Sequence, residues 1–205
     1  MASILDKHLN LNDEEKLIFE TVREFCIKEI TPQAKEVDQN GLFPQENIKK
    51  MNEIGLNGLF VPVEYGGNMV SKKCWFAVLK EIFKACGSTG IIFATNCHAC
   101  HPITLFGNTK QKEAFLPMFA KGALGAICIT EYNAGSDAKS MNASAKKING
   151  GYLLNGTKAF ISNGDVADIL LVFAKVIDQE NRLLGISPFV VLRKNAEGIT
   201  IGKRE

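Results

Sequence analysis

The spacing of apolar residues changes once along this chain, near residue 122, and that change limits what the chain can fold into. Up to that point they recur at three- and four-residue steps, the period of helices that bury one stripe. Asn12 followed by Glu15 spells a capping box, and Leu17, Ile18, Val22, Phe25, Cys26 and Ile30 then share a face until Pro32, which is expected to end the helix. A second helix is expected from about Pro44 to Gly55, burying Ile48, Met51 and Ile54. Val61 to Gly67 reads as a loop from its proline and paired glycines. Ser71 caps a third helix with Trp75, Val78, Leu79, Ile82, Phe83 and Cys86 on its apolar side, closed by Gly87. Thr89 to Phe106 is apolar around almost its whole circumference, the mark of a helix packed on all sides, and a fifth helix runs from about Thr109 to Gly122.

Beyond Gly122 the runs become short. Strands are expected over 124–130, 141–148, 152–155, 158–162, 169–176, 188–192 and 199–201, with Asn149-Gly-Gly151 as a hairpin turn. The fold class is therefore α+β: an all-α domain over residues 1–122, then an antiparallel β-sheet or barrel over residues 123–205.

With 46% hydrophobic residues in 205, the chain can bury a core. Its 24 Lys and Arg against 22 Asp and Glu leave a net charge of +2 spread without a basic stripe, so no nucleic acid partner is expected. No apolar run is long enough to span a bilayer, and Met1-Ala-Ser-Ile-Leu-Asp6 lacks the pattern of a secretion signal, so a cytoplasmic protein without a membrane partner is expected. Cys26, Cys74, Cys86, Cys97, Cys100 and Cys128 sit mostly in apolar helix-like segments, the usual placement of reduced thiols acting as small hydrophobes.

One segment carries chemistry. Thr130-Glu-Tyr-Asn-Ala-Gly-Ser-Asp137 is a strand end running into a turn rich in small and hydroxyl residues, where Gly135 lets an anion approach the backbone and Ser136 adds a donor. Together with Gly125 to Thr130 before it and Leu153-Leu-Asn-Gly-Thr-Lys-Ala-Phe-Ile-Ser-Asn-Gly164 after it, the segment resembles the signature of the acyl-CoA dehydrogenase family. The amino-terminal helices, the Tyr65-Gly-Gly67 loop and the closing Gly198-Ile-Thr-Ile-Gly-Lys-Arg-Glu205 extend that resemblance over essentially the whole chain, in order.

The resemblance implies FAD in a cleft between a helical amino-terminal domain, a middle β-domain and a third, carboxy-terminal helical domain. It places Ile127, Ile129 and Thr130 along the flavin ring, Gly135 and Ser136 against the pyrophosphate, Phe160 where relatives have an aromatic residue flanking the ring, and Ser162 as a donor near flavin N5. Ser136 and Arg182 are also implied on the acyl-CoA side. The implied reaction is α,β-dehydrogenation of an acyl-CoA thioester: a carboxylate takes the α-proton, the β-hydrogen leaves as hydride, and electrons pass to an electron-transferring flavoprotein. In the family that base is a Glu of the carboxy-terminal domain, which this sequence does not reach. The expectation is thus a fragment lacking its catalytic base and the last strands of its β-domain, inactive alone and homo-oligomeric when full length. Two other readings stay open: an oxygen-reacting, acyl-CoA oxidase-like flavoprotein, and a non-catalytic interaction module.

Some patterns are decoys. Cys97-His-Ala-Cys-His101 spells a haem-attachment motif, but it falls in the apolar helix, where its cysteines read as core and its histidines as bonded partners near a helix end; no metal is expected. Glu131 and Asp137 read as backbone-bonded turn residues, and Lys158 with Lys146 and Lys147 as a solvated strand face.

Overall fold

The computed structural model describes residues 10–202. The Met1–Asp6 stretch and the closing Lys203-Arg204-Glu205 lie outside the described residues. The chain divides between Gly122 and Ala123 into two compact units.

The first unit is helical. Asn12 accepts a hydrogen bond from the Glu15 N–H at 2.8 Å while the Glu15 carboxylate reaches back to the Asn12 N–H, so the capping box opens helix α1, Asp13–Phe25. Pro32 does not end the segment. Cys26–Ile30 forms a π turn in which the Thr31 N–H bonds the Cys26 carbonyl five residues back, and helix α2, Thr31–Gln39, continues from it with Pro32 in its first turn. The wider turn shifts the register by one residue, so the proline ring meets no carbonyl and its missing N–H falls where helices leave such groups free anyway. Helix α3, Gln45–Glu53, buries Ile48 and Met51 but leaves Ile54 exposed, because the helix stops one residue before it and Gly55 turns the chain at φ +75°.

Helix α4, Lys72–Ala85, is capped by Ser71 as expected, but Gly87 opens the next helix rather than closing this one, since Cys86 adopts an extended backbone between the two. Phe83, expected inside, is 40% exposed. Helix α5, Gly87–Phe106, buries ten residues between Thr89 and Ile103 and packs against α4 and α6, Thr109–Ala120, but it is not packed on all sides as expected: Ile91, His98, His101 and Leu105 are exposed along one side. No helix among the described residues is long and apolar enough to cross a membrane.

The second unit is one open sheet of five strands: β1 Gly125–Cys128, β2 Ser144–Ile148, β3 Gly151–Asn155, β4 Ile169–Ile177 and β5 Leu183–Leu192. Strand β4 is its spine. Along one side β5 pairs with it antiparallel over its whole length, from Ile169↔Leu192 to Ile177↔Leu183. The other side is shared end to end by β1, parallel from Gly125↔Ile169 to Cys128↔Val172, and β2, parallel from Ser144↔Lys175 to Lys146↔Ile177. Strand β3 folds back on β2 through the Asn149-Gly150 corner, where Gly150 takes φ +82°.

The sheet is thus mixed where an antiparallel one was expected. Strands β1, β2 and β4 run the same way because irregular excursions, residues 129–143 and 156–168, connect them in place of tight turns. The expected strand over 158–162 is absent: Phe160 adopts φ +56°, which no strand tolerates, and Asn163 just beyond it takes φ +64°. Residues 199–201 also form no strand, whereas β5 starts at Leu183, five residues earlier than expected.

Candidate functional site: a pinned pair of excursions in the β unit

The two excursions are tied to each other at a buried ion pair. Glu131 and Lys158 have side chains only 8% and 10% exposed, with Lys158 Nζ 2.9 Å from Glu131 Oε1. The same ammonium donates to the Ile129 carbonyl at 2.9 Å. The Glu131 carboxylate also accepts the backbone N–H groups of Asn142 and Ala143, at 2.7 and 2.9 Å. Burial pushes the Glu131 carboxyl up, but the bonds from Lys158, Asn142 and Ala143 together with the Lys158 charge outweigh it and hold the group below its ordinary range. Glu131 is therefore a backbone-bonded residue, as its turn suggested. Lys158 is not the solvated lysine expected: only Lys146 and Lys147 are. Its partner lies 27 residues away, a separation that leaves no local signal.

Around this pair the excursions are shaped residue by residue. Thr130 accepts the Ala159 N–H at 2.9 Å, which sets the start of one excursion against the middle of the other. Glu131 and Ala134 exchange both backbone bonds, so Tyr132 and Asn133 form a two-residue corner, and Gly135 and Ser136 follow as exposed bends. Asp137 is held through its carbonyl, which accepts from Ser140, and its carboxylate stays exposed. At Gly156, φ +145°, an added Cβ would lie 2.6 Å from that of Ala143, so only glycine lets the chain leave β3 here toward Lys158.

Ile161 packs on the cluster of Ala126, Cys128, Ala167 and Leu170, which leaves Ser162 exposed beside it. Asn163 donates to the Gly125 carbonyl at 3.0 Å. Arg193, just past β5, donates Nε to the Ala167 carbonyl at 2.6 Å and Nη2 to that of Gly164, holding the 161–167 turn from the far side. Replacing Arg193 by Met keeps the stem but strips both charge-assisted bonds. The β unit is expected to lose about 2 kcal/mol, read by urea denaturation followed through amide exchange of Asn163 to Ala167.

Among the site residues read from sequence, this arrangement sets Thr130 beside the residue before Phe160 through the Thr130–Ala159 bond and puts Gly135 and Ser136 directly after the Glu131–Ala134 corner. Ile127 alternates with buried Ala126 and Cys128 and so points to the face opposite that cluster, half-buried, and Ile129, just past the strand, is half-buried too. Among the described residues, the Ser136 and Ser162 hydroxyls and the Gly135 and Ser136 N–H groups carry no bond within the chain. Phe160 is 66% exposed in spite of its size. Arg182 lies in the β4–β5 turn, where its guanidinium pairs with Asp178 at 2.7 Å and Glu180 at 3.2 Å. The Arg182 N–H, then its guanidinium, hold the Asp178 carboxyl below the usual range against the effect of burial.

The Cys97-to-His101 motif lies within α5. Burial pushes the Cys97 and Cys100 thiols up to about 12, so neither is a ready metal ligand or nucleophile. His98 and His101, expected to be bonded, are exposed and carry no bond among the described residues.

Comparison with known proteins assigns this architecture. Residues 12–123 match the family model of the acyl-CoA dehydrogenase N-terminal domain, and residues 126–205 that of the middle domain. The chain belongs to the acyl-CoA dehydrogenase family. It is 40% identical over 199 residues to an acyl-CoA dehydrogenase of Bacillus subtilis, covering 96% of this chain and 52% of that protein. Butyryl-CoA dehydrogenase from Megasphaera elsdenii superposes with a TM-score of 0.87 at 33% identity, covering 96% of this chain and 52% of that one. An acyl-CoA dehydrogenase from Bacillus anthracis, complexed with FAD, gives 0.86 at 30% identity, covering all of this chain and 36% of that one. The chain spans about half the length of the Bacillus subtilis and Megasphaera elsdenii proteins and about a third of the Bacillus anthracis one.

Two site residues escaped the sequence reading altogether. Arg193 sits in a run of ordinary strand and turn residues, and Tyr132 in the motif itself without any spacing that marks it.

Proposed function

We propose that this chain supplies the flavin-supporting surface of a FAD-dependent acyl-CoA dehydrogenase that dehydrogenates an acyl-CoA thioester and passes electrons to an electron-transferring flavoprotein. Its working parts are a helical domain of residues 1–122 and a β-domain of residues 123–205, within a protein that assembles as a homo-oligomer. The observation that carries the reading is Phe160, a large apolar side chain standing mostly in solvent on a left-handed backbone, in an excursion locked by a buried ion pair. Strain and exposure of this kind persist where a ligand uses them.

The donor set fits the cofactor. Bare amides at Gly135 and Ser136 with the Ser136 hydroxyl suit a diphosphate, the Thr130 and Ser162 hydroxyls suit the polar edges of an isoalloxazine ring, and Ile127, Ile129 and Phe160 suit its apolar parts. When bound, FAD supplies the two-electron acceptor that dehydrogenation of a carbon–carbon bond requires and that side chains lack. The chain's own contribution is fixed polarity. Donors on the excursions tied by the Glu131–Lys158 junction would be fixed in advance of the charge that builds on a bound flavin, with no reorganisation needed at the moment of reaction. We assign Ser136 and Arg182 to the CoA side, where Arg182 would first have to exchange its carboxylate partners Asp178 and Glu180. Glu131, held low and fully bonded, is no acceptor for a substrate proton; the family resemblance gives that role to a Glu of the carboxy-terminal domain.

The test is FAD titration of the isotopically labelled chain followed by NMR. Amide shifts clustered at Ile127, Ile129, Thr130, Gly135, Ser136, Phe160 and Ser162 are the expected result. Shifts confined to the helical unit, or absent at saturating FAD, would remove the reading.

A further inference from the structure

We infer that Tyr132 is a positioning residue for Phe160, and that the two rings act together as a preset wall for the planar ring of the flavin. The inference rests on the flavin reading of this surface and goes beyond it by assigning a role to Tyr132. The two rings lie 5.8 Å apart between centroids and meet at 73°, an edge-to-face contact. Both are mostly exposed, Tyr132 at 68% and Phe160 at 66%.

Their meeting follows from the junction beneath them. Tyr132 directly follows Glu131, whose carboxylate is fixed by three donors, and occupies the first position of a corner closed by the paired Glu131 and Ala134 bonds. Phe160 directly follows Ala159, whose N–H is bonded to Thr130, and lies two residues past Lys158. One ion pair therefore sets the origin of both side chains, and neither excursion can shift without the other.

The contact has a consequence for binding. An exposed phenylalanine samples several rotamers, and a ligand that needs one of them must overcome that freedom on binding. A second ring packed edge-on narrows the choice beforehand. The contact is too open to the solvent to act as core, so what it sets is the direction of the Phe160 ring rather than the stability of the unit. A side chain that only covers apolar surface could do so with any aliphatic group; a side chain that orients a neighbouring ring needs a ring of its own.

That difference defines the experiment, carried out on the full chain. Three variants are compared with the parent: Tyr132→Phe, Tyr132→Leu and Tyr132→Ala. Without flavin, the Phe160 ring protons are expected to be shifted and dispersed in the parent and in Tyr132→Phe, and averaged in the Leu and Ala variants. With FAD, the Leu and Ala variants are expected to bind about twofold to tenfold more weakly, while Tyr132→Phe matches the parent. Tyr132→Leu behaving like Tyr132→Phe in either measurement would overturn the inference and leave Tyr132 as simple cover. Phe160 resonances unchanged in Tyr132→Ala would overturn it as well. A parent chain that binds FAD nowhere sinks the flavin reading instead, and the positioning role is then decided by the flavin-free spectra.

Discussion

Lys158→Met is expected to destabilise the β unit by about 3 to 5 kcal/mol, the largest effect of any single exchange in the site. It removes one charge of a pair whose side chains are 8% and 10% exposed and leaves the buried Glu131 carboxylate with only the Asn142 and Ala143 N–H groups and no counter-charge. Against the few kcal/mol by which domains are stable, that loss is enough to open the two excursions, and amide exchange at Asn142 and Ala143 is the measurement. The double variant Glu131→Met, Lys158→Met is expected to recover much of the loss, since two apolar groups in place of a buried pair leave no uncompensated charge. A single variant as stable as the parent would mean that the ion pair does not pin the excursions.

The same pair fixes a pH dependence. In the folded chain Glu131 titrates below its ordinary 4.5, while in the unfolded chain it titrates there. As the pH falls, the unfolded chain takes up its proton first, so this group's contribution is fully present above 4.5 and is lost as the pH drops through the lower, folded value. In Lys158→Met the carboxyl loses the Lys158 bond and charge that lower it, so its folded titration moves up and the part of the stability lost on acidification through this group becomes smaller than in the parent. Acid denaturation of the two chains, followed by the amides of β2 and β3, checks both direction and order.

What the sequence could reveal was set by the range of the interactions. Asn12 with Glu15, Ser71 ahead of Cys74 and Asn149-Gly150 between β2 and β3 act within a few residues, and each was legible. Pro32 misled because the π turn before it absorbs the proline, and nothing in Cys26 to Ile30 marks a register shift. The parallel pairings of β1 and β2 with β4 are decided by where long excursions return, not by any alternation within a strand. Lys158 was read as solvated because that is the ordinary state of a lysine, and only its meeting with Glu131 reverses it. The motif residues were recognisable as a family pattern, while the ion pair, the Arg193 clamp and the Tyr132 contact that hold them in place were not.

Phe160→Gly is expected to leave the β unit as stable as the parent or about 1 kcal/mol more stable, and yet to weaken FAD binding about tenfold. The two effects have opposite signs because they have separate causes. At φ +56° a phenylalanine carries a backbone cost that glycine does not, and its ring, 66% exposed, returns little burial in exchange. For folding alone, then, the residue is a poor choice. For a ligand it offers a large apolar face whose removal costs the contact area of a whole ring. Urea denaturation gives the first quantity and the FAD titration the second. If Phe160→Gly lost stability and affinity together, the ring would be part of the unit's packing, and the strained backbone would have to be explained by folding rather than by the flavin.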